Sequence, residues 1–289
     1  MSNTIPNIQA TNAFYYYRDV NAAWAFYRDI LGLETVVDYG FAKIMRVARN
    51  TYLTLVDAAQ GMHDADEPKS VTLAMVTDEV AEWYDYLVGA GVTMHKGYNP
   101  KPGSNHDGFV ALDPEGYFLE FEIFNPHPEN EQILPLLAEI EPLYTGLGSR
   151  PAALGIRATV QWLYYKDIPR MMAFYESLLG VSLAVDQGWA KVYQVAGSGF
   201  LGLVDGAKGL HGTTPEKCVT VSFFTGDVEG WFARAAARDD LRLRTPAVGD
   251  ESGKVRIFVG YDPEGYFLEW DTFVPDPANE KLLGYLAAN

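Results

Sequence analysis

Apolar positions along this chain alternate between two spacings, in one order repeated four times. Phe14, Tyr15, Tyr16 and Tyr17 form an aromatic run that reads as a strand. From Asp19 onward the spacing changes to Val20, Ala23, Trp24, Tyr27, Ile30 and Leu31, one face of a helix that Asp19 caps and Gly32 ends. Such a stripe is what a helix needs to pack on a sheet. The pattern returns as Trp162 to Tyr165, then Asp167, Ile168, Met171, Met172, Tyr175, Leu178, Leu179 and Gly180; Asp19 and Asp167 stand 148 positions apart. Strands at 39–44 and 52–57 recur at 187–192 and 200–205. A second strand and helix, Val71–Val76 followed by Val80, Trp83, Tyr84 and Leu87, recurs as Val219–Phe224 followed by Val228, Trp231, Phe232 and Ala235.

One octapeptide, Asp-Pro-Glu-Gly-Tyr-Phe-Leu-Glu, occurs at 113–120 and again at 262–269. Its first four residues predict a turn, with Pro at the second position and Gly where φ is positive, and the rest predict a strand. The spacing here is 149, so one residue has entered between the copies. Even the following segments match, with Pro126, Pro128, Asn130 and Glu131 against Pro275, Pro277, Asn279 and Glu280. The expectation is an α+β chain of four βαβββ modules. Each is too small to bury its sheet face alone, so they pair into two domains, residues 1–141 and 154–289, joined by a linker at 142–153.

Charge and cysteine usage narrow the function. The formal net charge of −16 over 289 residues argues against nucleic acid and anionic membranes as partners. A single cysteine, Cys218, excludes an internal disulfide framework and cysteine-rich metal sites. No run of about 18 apolar residues and no secretory leader is evident, which points to a reducing, cytoplasmic setting.

The helix ends (Phe26, Tyr27, Leu31, Gly32 and Phe174, Tyr175, Leu179, Gly180), taken with the octapeptide, resemble the vicinal oxygen chelate superfamily. That group includes glyoxalase I, extradiol dioxygenases and bleomycin resistance proteins. The resemblance covers nearly the whole chain and is similar to the two-domain form, with cup-shaped mixed sheets. It implies a small oxygenated or aromatic ligand, and an activity among lyases, isomerases or dioxygenases. The alternative is a metal-free protein that sequesters a drug or metabolite. It also implies metal-ligand positions on the first and last strands of the modules, which fall on Asn12, Thr54, Thr72 and Glu120, and on Val160, Gly202, Thr220 and Glu269. Valine and glycine cannot coordinate through side chains, so the expectation is no cofactor, or a single weakly held divalent metal with Glu120 and Glu269 as the remaining ligands.

Strand alternation turns Phe118, Glu120 and Glu122 to one face, with Leu119 and Phe121 to the other. Glu120 and His106, which lies on a Gly- and Pro-containing stretch, are the candidate catalytic pair. Asn12, Phe14, Tyr16, Thr72, Phe118, Glu122, Trp162 and Tyr164 are the candidate ligand-binding residues. His63 and His211 read as partners of Asp57 and Asp205, and Lys43 and Lys191 as solvated edge lysines. The functional cup is expected in the first half, around Glu120. The partner is a small molecule, and a homodimer is compatible with these features.

Overall fold

The computed structural model describes residues 5–288. The first module runs β1 (Ala10–Tyr17), α1 (Val20–Ala25), β2 (Glu34–Asp38), β3 (Ala42–Ala48) and β4 (Thr51–Asp57). The second runs β5 (Val71–Val76), α2 (Val80–Gly89), β6 (Met94–Lys96), β7 (His106–Leu112) and β8 (Phe118–Phe124), followed by α3 (Ile133–Ala138). The third is β9 (Ala158–Tyr165), α4 (Ile168–Leu179), β10 (Leu183–Asp186), β11 (Ala190–Ala196) and β12 (Gly199–Asp205). The fourth is β13 (Val219–Phe224), α5 (Val228–Ala236), β14 (Arg242–Leu243), β15 (Gly249–Glu251), β16 (Val255–Tyr261) and β17 (Phe267–Phe273), followed by α6 (Glu280–Ala287). Asp19 accepts hydrogen bonds from the Asn21 and Ala22 N–H groups, and Asp167 from that of Arg170. The first helix widens into a π turn over Phe26–Ile30 before Gly32, whereas α4 stays regular up to Gly180.

Two mixed sheets result, but they do not follow the halves of the sequence. The first sheet has the order β14-β16-β17-β13-β1-β4-β3-β2, with β15 on β16; the second has β10-β11-β12-β9-β5-β8-β7-β6. The first and fourth modules therefore share one sheet, and the second and third share the other. The seams are antiparallel: β1 on β13, from Ala10 opposite Phe224 to Tyr15 opposite Val219, and β5 on β9, from Val71 opposite Leu163 to Val76 opposite Ala158. This corrects the expectation that residues 1–141 and 154–289 each close their own cup. All four leading strands carry the same apolar pattern, so the pattern demands a partner without choosing one. Segment 142–153 is not a free spacer either. Arg150, buried, donates to the Leu143 and Leu154 carbonyls, and its guanidinium lies 4.9 Å from the centre of the Trp83 ring.

The repeated octapeptide locks the two sheets together. The Asp113 carboxylate accepts from the Glu115 and Tyr117 N–H groups at 2.9 and 2.8 Å, and from the hydroxyls of Tyr17 and Tyr27 at 2.7 and 3.1 Å. Gly116 has φ +92°, a conformation that only glycine adopts readily. Tyr117 leaves its own sheet. Its hydroxyl accepts from the Tyr16 N–H at 2.9 Å and donates to the Cys218 carbonyl at 2.7 Å, at the end of the β1 and β13 seam. The second copy repeats this. Asp262 binds the Tyr165 and Tyr175 hydroxyls, and Tyr266 binds the Tyr164 N–H and the Ser70 carbonyl beside the β5 and β9 seam. Helix α3 packs Ile133 and Leu137 with Val160 and Val192 of the second sheet; α6 packs Leu282 and Leu286 with Val36 and Tyr52 of the first.

Candidate functional site

Alternation along β8 sorts its side chains as expected. Leu119 and Phe121 are fully buried in the core, with the Phe121 ring 4.8 Å from Trp83 of α2. Glu120 and Glu122 point the other way, into a cavity of about 250 Å³. The opposite wall comes from the third module, where β9 supplies Trp162 and Tyr164 and the start of β11 is flanked by Trp189. His106, the first residue of β7, also lines this cavity, with Lys96 and Lys208. Thr72 lies below, its hydroxyl 2.8 Å from that of Tyr164. Phe118 stacks between His95 and His211, with ring centres 4.2 Å away on both sides.

Of the residues singled out from the sequence, His106, Glu120, Glu122, Trp162 and Tyr164 line this cavity, and Phe118 and Thr72 lie in the same sheet without lining it. Four belong elsewhere. Asn12, Phe14, Tyr16 and Glu269 are in the first sheet, where Asn12 accepts from the Thr54 hydroxyl at 3.0 Å, Tyr16 meets Thr220 at 2.8 Å and Phe14 lies opposite Thr54 and Thr220. The expectation that Phe14 and Tyr16 wall Glu120 fails because the modules pair crosswise. The cup around Glu120 is also not a first-half cup, since Trp162 and Tyr164 complete it.

Burial dominates the electrostatics of Glu120 and Glu122. It pushes the Glu120 carboxyl up to about 7, with Lys96 pulling the other way. Glu122, 2% exposed, is raised well above the usual carboxylate range, first by burial and then by the charge of Glu120. Its Oε1 has no hydrogen-bond partner among the described residues. His106 is shifted toward the neutral form by burial and by Lys96.

The pseudo-equivalent carboxyl groups in the first sheet are buried. Glu269 and Asp271 are 4% and 2% exposed, and Asp271 accepts from the Ser222 hydroxyl. Val255 starts β16 where His106 starts β7. Among the described residues Glu269 stands in no cluster of three metal-ligating side chains. Burial raises Asp271 to about 6 and Glu269 well above its usual range. The folded state thus holds extra protons on this pair. Their stabilising contribution is complete below the unfolded carboxylate value near 4 and is lost as pH rises through the raised values. Glu269→Gln removes one of these titrations. Relative to the parent it should gain roughly 1–3 kcal/mol between pH 4 and pH 8, read from denaturant unfolding at the two pH values. A pH-independent difference would refute the assignment.

The metal-ligand positions implied by the superfamily do not fit a metal in the second cup. Val160 and Gly202 offer no donor, and a Cβ at Gly202 would overlap the Trp162 ring, so an indole occupies the space a ligand there would need. Thr72 is turned to Tyr164. Only Glu120 remains of that set.

Other expectations need correction. His63 pairs with Glu67 at 2.7 Å rather than with Asp57, which instead accepts from the Ala59 N–H and the Gln60 side chain. His211 packs edge-on against Tyr164, with ring centres 5.0 Å apart, rather than binding Asp205. Lys43 and Lys191 are buried and pair with Asp38 and Asp186; the Lys43 amine also lies 4.8 Å from the centre of the Trp24 ring. Sequence reasoning missed Lys96, Trp189, Lys208 and Leu210 as cavity residues. Trp189 had a signal, being the counterpart of Phe41 in the repeat, and both are exposed aromatics. Lys96 had none.

Residues 8–121 match the family model of the Glyoxalase/Bleomycin resistance protein/Dioxygenase superfamily. The match spans the first module and the second as far as the middle of β8. Its fold is similar over nearly the full length to a Bacillus subtilis protein provisionally described as a dioxygenase (TM-score 0.67, 16% identity, 96% of this chain and 89% of the other). It is also similar to glyoxalase I from Zea mays (TM-score 0.61, 17% identity, 98% and 95%). No curated protein matches the sequence. Likeness at these identities concerns the fold and leaves the chemistry to the site. Among the described residues no helix is long and apolar enough to cross a membrane.

Proposed function

We propose that the second-sheet cup binds and handles a small aromatic molecule bearing hydroxyl or carbonyl oxygens, with Glu120 as the group that exchanges a hydrogen bond or proton with it. One observation carries this reading. Two neighbouring carboxyl groups, Glu120 half-buried and Glu122 buried with its Oε1 unpartnered among the described residues, face a cavity walled by Trp162, Tyr164 and Trp189. Buried polar groups cost stability unless they find partners, and an indole-lined wall suits a flat ring. An ionised carboxylate accepts from a ligand hydroxyl, and a protonated one donates to a carbonyl. Phe118 and Thr72 then act by placement, the first between two imidazoles and the second on the Tyr164 hydroxyl.

The test is a fluorescence titration with small phenols, catechols and aromatic carboxylic acids, since Trp162 and Trp189 line the cavity. Glu120→Gln should weaken binding of the best compound at least about tenfold, the loss of one charge-assisted hydrogen bond. Glu269→Gln should leave it unchanged. Equal loss from both would remove the assignment to this cup.

A further inference from the structure

The same two carboxyl groups have a third neighbour. Nitrogen or oxygen ligand atoms of His106, Glu120 and Glu122 all lie within 4.8 Å of one another. Ligands around one ion with bonds of 2.0–2.2 Å stand about 3–4.4 Å apart, so small side-chain rotations bring this set to coordination distance. Resting on the reading of this cup as the functional one, we propose that His106, Glu120 and Glu122 form a divalent transition-metal site that shares only Glu120 with the positions the superfamily implies.

Three features support it beyond the clustering of acids. The imidazole is held in a single tautomer with one nitrogen free to ligate. His106 Nδ1 lies 3.1 Å from Asn105 Oδ1, which can only accept, so Nδ1 carries the hydrogen and Nε2 keeps its lone pair. The Asn105 amide is oriented in turn by donating from Nδ2 to Glu129 at 2.6 Å. A ligating histidine tied back by its second nitrogen is the usual outer-shell arrangement. Secondly, Glu122 is almost wholly buried, lines the cavity and leaves Oε1 unpartnered. Thirdly, the other cup shows how the fold satisfies this position without an ion. There Ser222 donates to Asp271, whereas Ala74, 148 positions earlier, has no hydroxyl to offer Glu122. One imidazole and two carboxylates suit Mn²⁺, Fe²⁺ or Zn²⁺.

The experiment uses the full-length protein, stripped with chelator and titrated with Mn²⁺ by electron paramagnetic resonance, and with Zn²⁺ by calorimetry, with no organic ligand present. One ion should bind per chain, and electron spin-echo modulation of bound Mn²⁺ in the unmodified protein should show one coupled imidazole nitrogen. Glu122→Gln and His106→Ala should each lower affinity by at least about 100-fold, and Asn105→Ala, a positioning change, by about 10- to 100-fold. Glu269→Gln should change nothing. Absence of saturable binding of both ions, absence of the nitrogen coupling, or equal affinity in His106→Ala would overturn the site. Fluorescence titration of the metal-stripped protein with the aromatic panel is read separately, so loss of the metal proposal and loss of the ligand-binding reading give different results.

Discussion

Residues 1–141 produced without residues 154–289 should not yield a folded monomer, and the two pieces made together should co-purify in equal amounts. The reason is the crosswise strand order. Separating the pieces opens the β1 and β13 seam and the β5 and β9 seam at once. Each open seam presents an unpaired strand edge, a template for aggregation. It also exposes side chains that are now wholly enclosed, among them Tyr15, Val221 and Phe223 at one seam and Leu73, Val160 and Leu163 at the other. Burying one such side chain contributes about 1.5–3 kcal/mol, so losing several approaches the 5–15 kcal/mol that typically holds a domain together. The octapeptide contacts would go too, because Tyr117 needs Cys218, and Tyr266 needs Ser70. Size-exclusion chromatography with light scattering decides the matter. Two well-folded monomers of half size would show that each half closes its own sheet.

Asp113→Ala should cost about 3–5 kcal/mol, lowering the melting temperature by roughly 10 °C. Four donors converge on that carboxylate: two turn N–H groups and the hydroxyls of Tyr17 and Tyr27. All are buried or nearly so, and truncation leaves them unpaired in place, which costs more than removing both partners of a hydrogen bond. The damage should spread, because the turn aims Tyr117 at the seam of the other sheet. Asp262→Ala should behave alike, since its four contacts repeat the set. Asp113→Asn, which keeps the shape and one acceptor oxygen, should cost clearly less. Thermal unfolding of the three variants checks this; a loss below about 1 kcal/mol for Asp113→Ala would contradict the role of the turn as a brace.

Local structure was legible in the sequence where one physical rule acts alone. The helix beginning at Asp19 follows from capping, and the positive φ of Gly116 from turn chemistry. The opposite facing of Leu119 and Glu120 follows from the two-residue period of a strand. What the sequence did not disclose is which module meets which. With repeats at 148 and 149 residues, the first strand of any module could pair with that of any other, and nothing local to β1 distinguishes β5 from β13. This is why sequence reasoning divides Glu120, Glu122 and Thr72 from Trp162 and Tyr164, placing them in two cups. Lys96 escaped notice for a related reason, since its place at the cavity depends on where β6 ends against β7. Gly202 is instructive in the opposite sense. A glycine at an implied ligand position reads as a lost donor, and its structural counterpart is the Trp162 ring lying over it.

The central claim is that the second-sheet cup, and not its counterpart, receives the ligand. Crystals of the full-length protein soaked with phenols, catechols and aromatic carboxylic acids test it most directly. The account predicts a ring bound in the cavity beside Trp162 and Trp189, with an oxygen within hydrogen-bond reach of Glu120 or Glu122. Compounds bound instead against Glu269 and Asp271, with none beside Glu120, would contradict it.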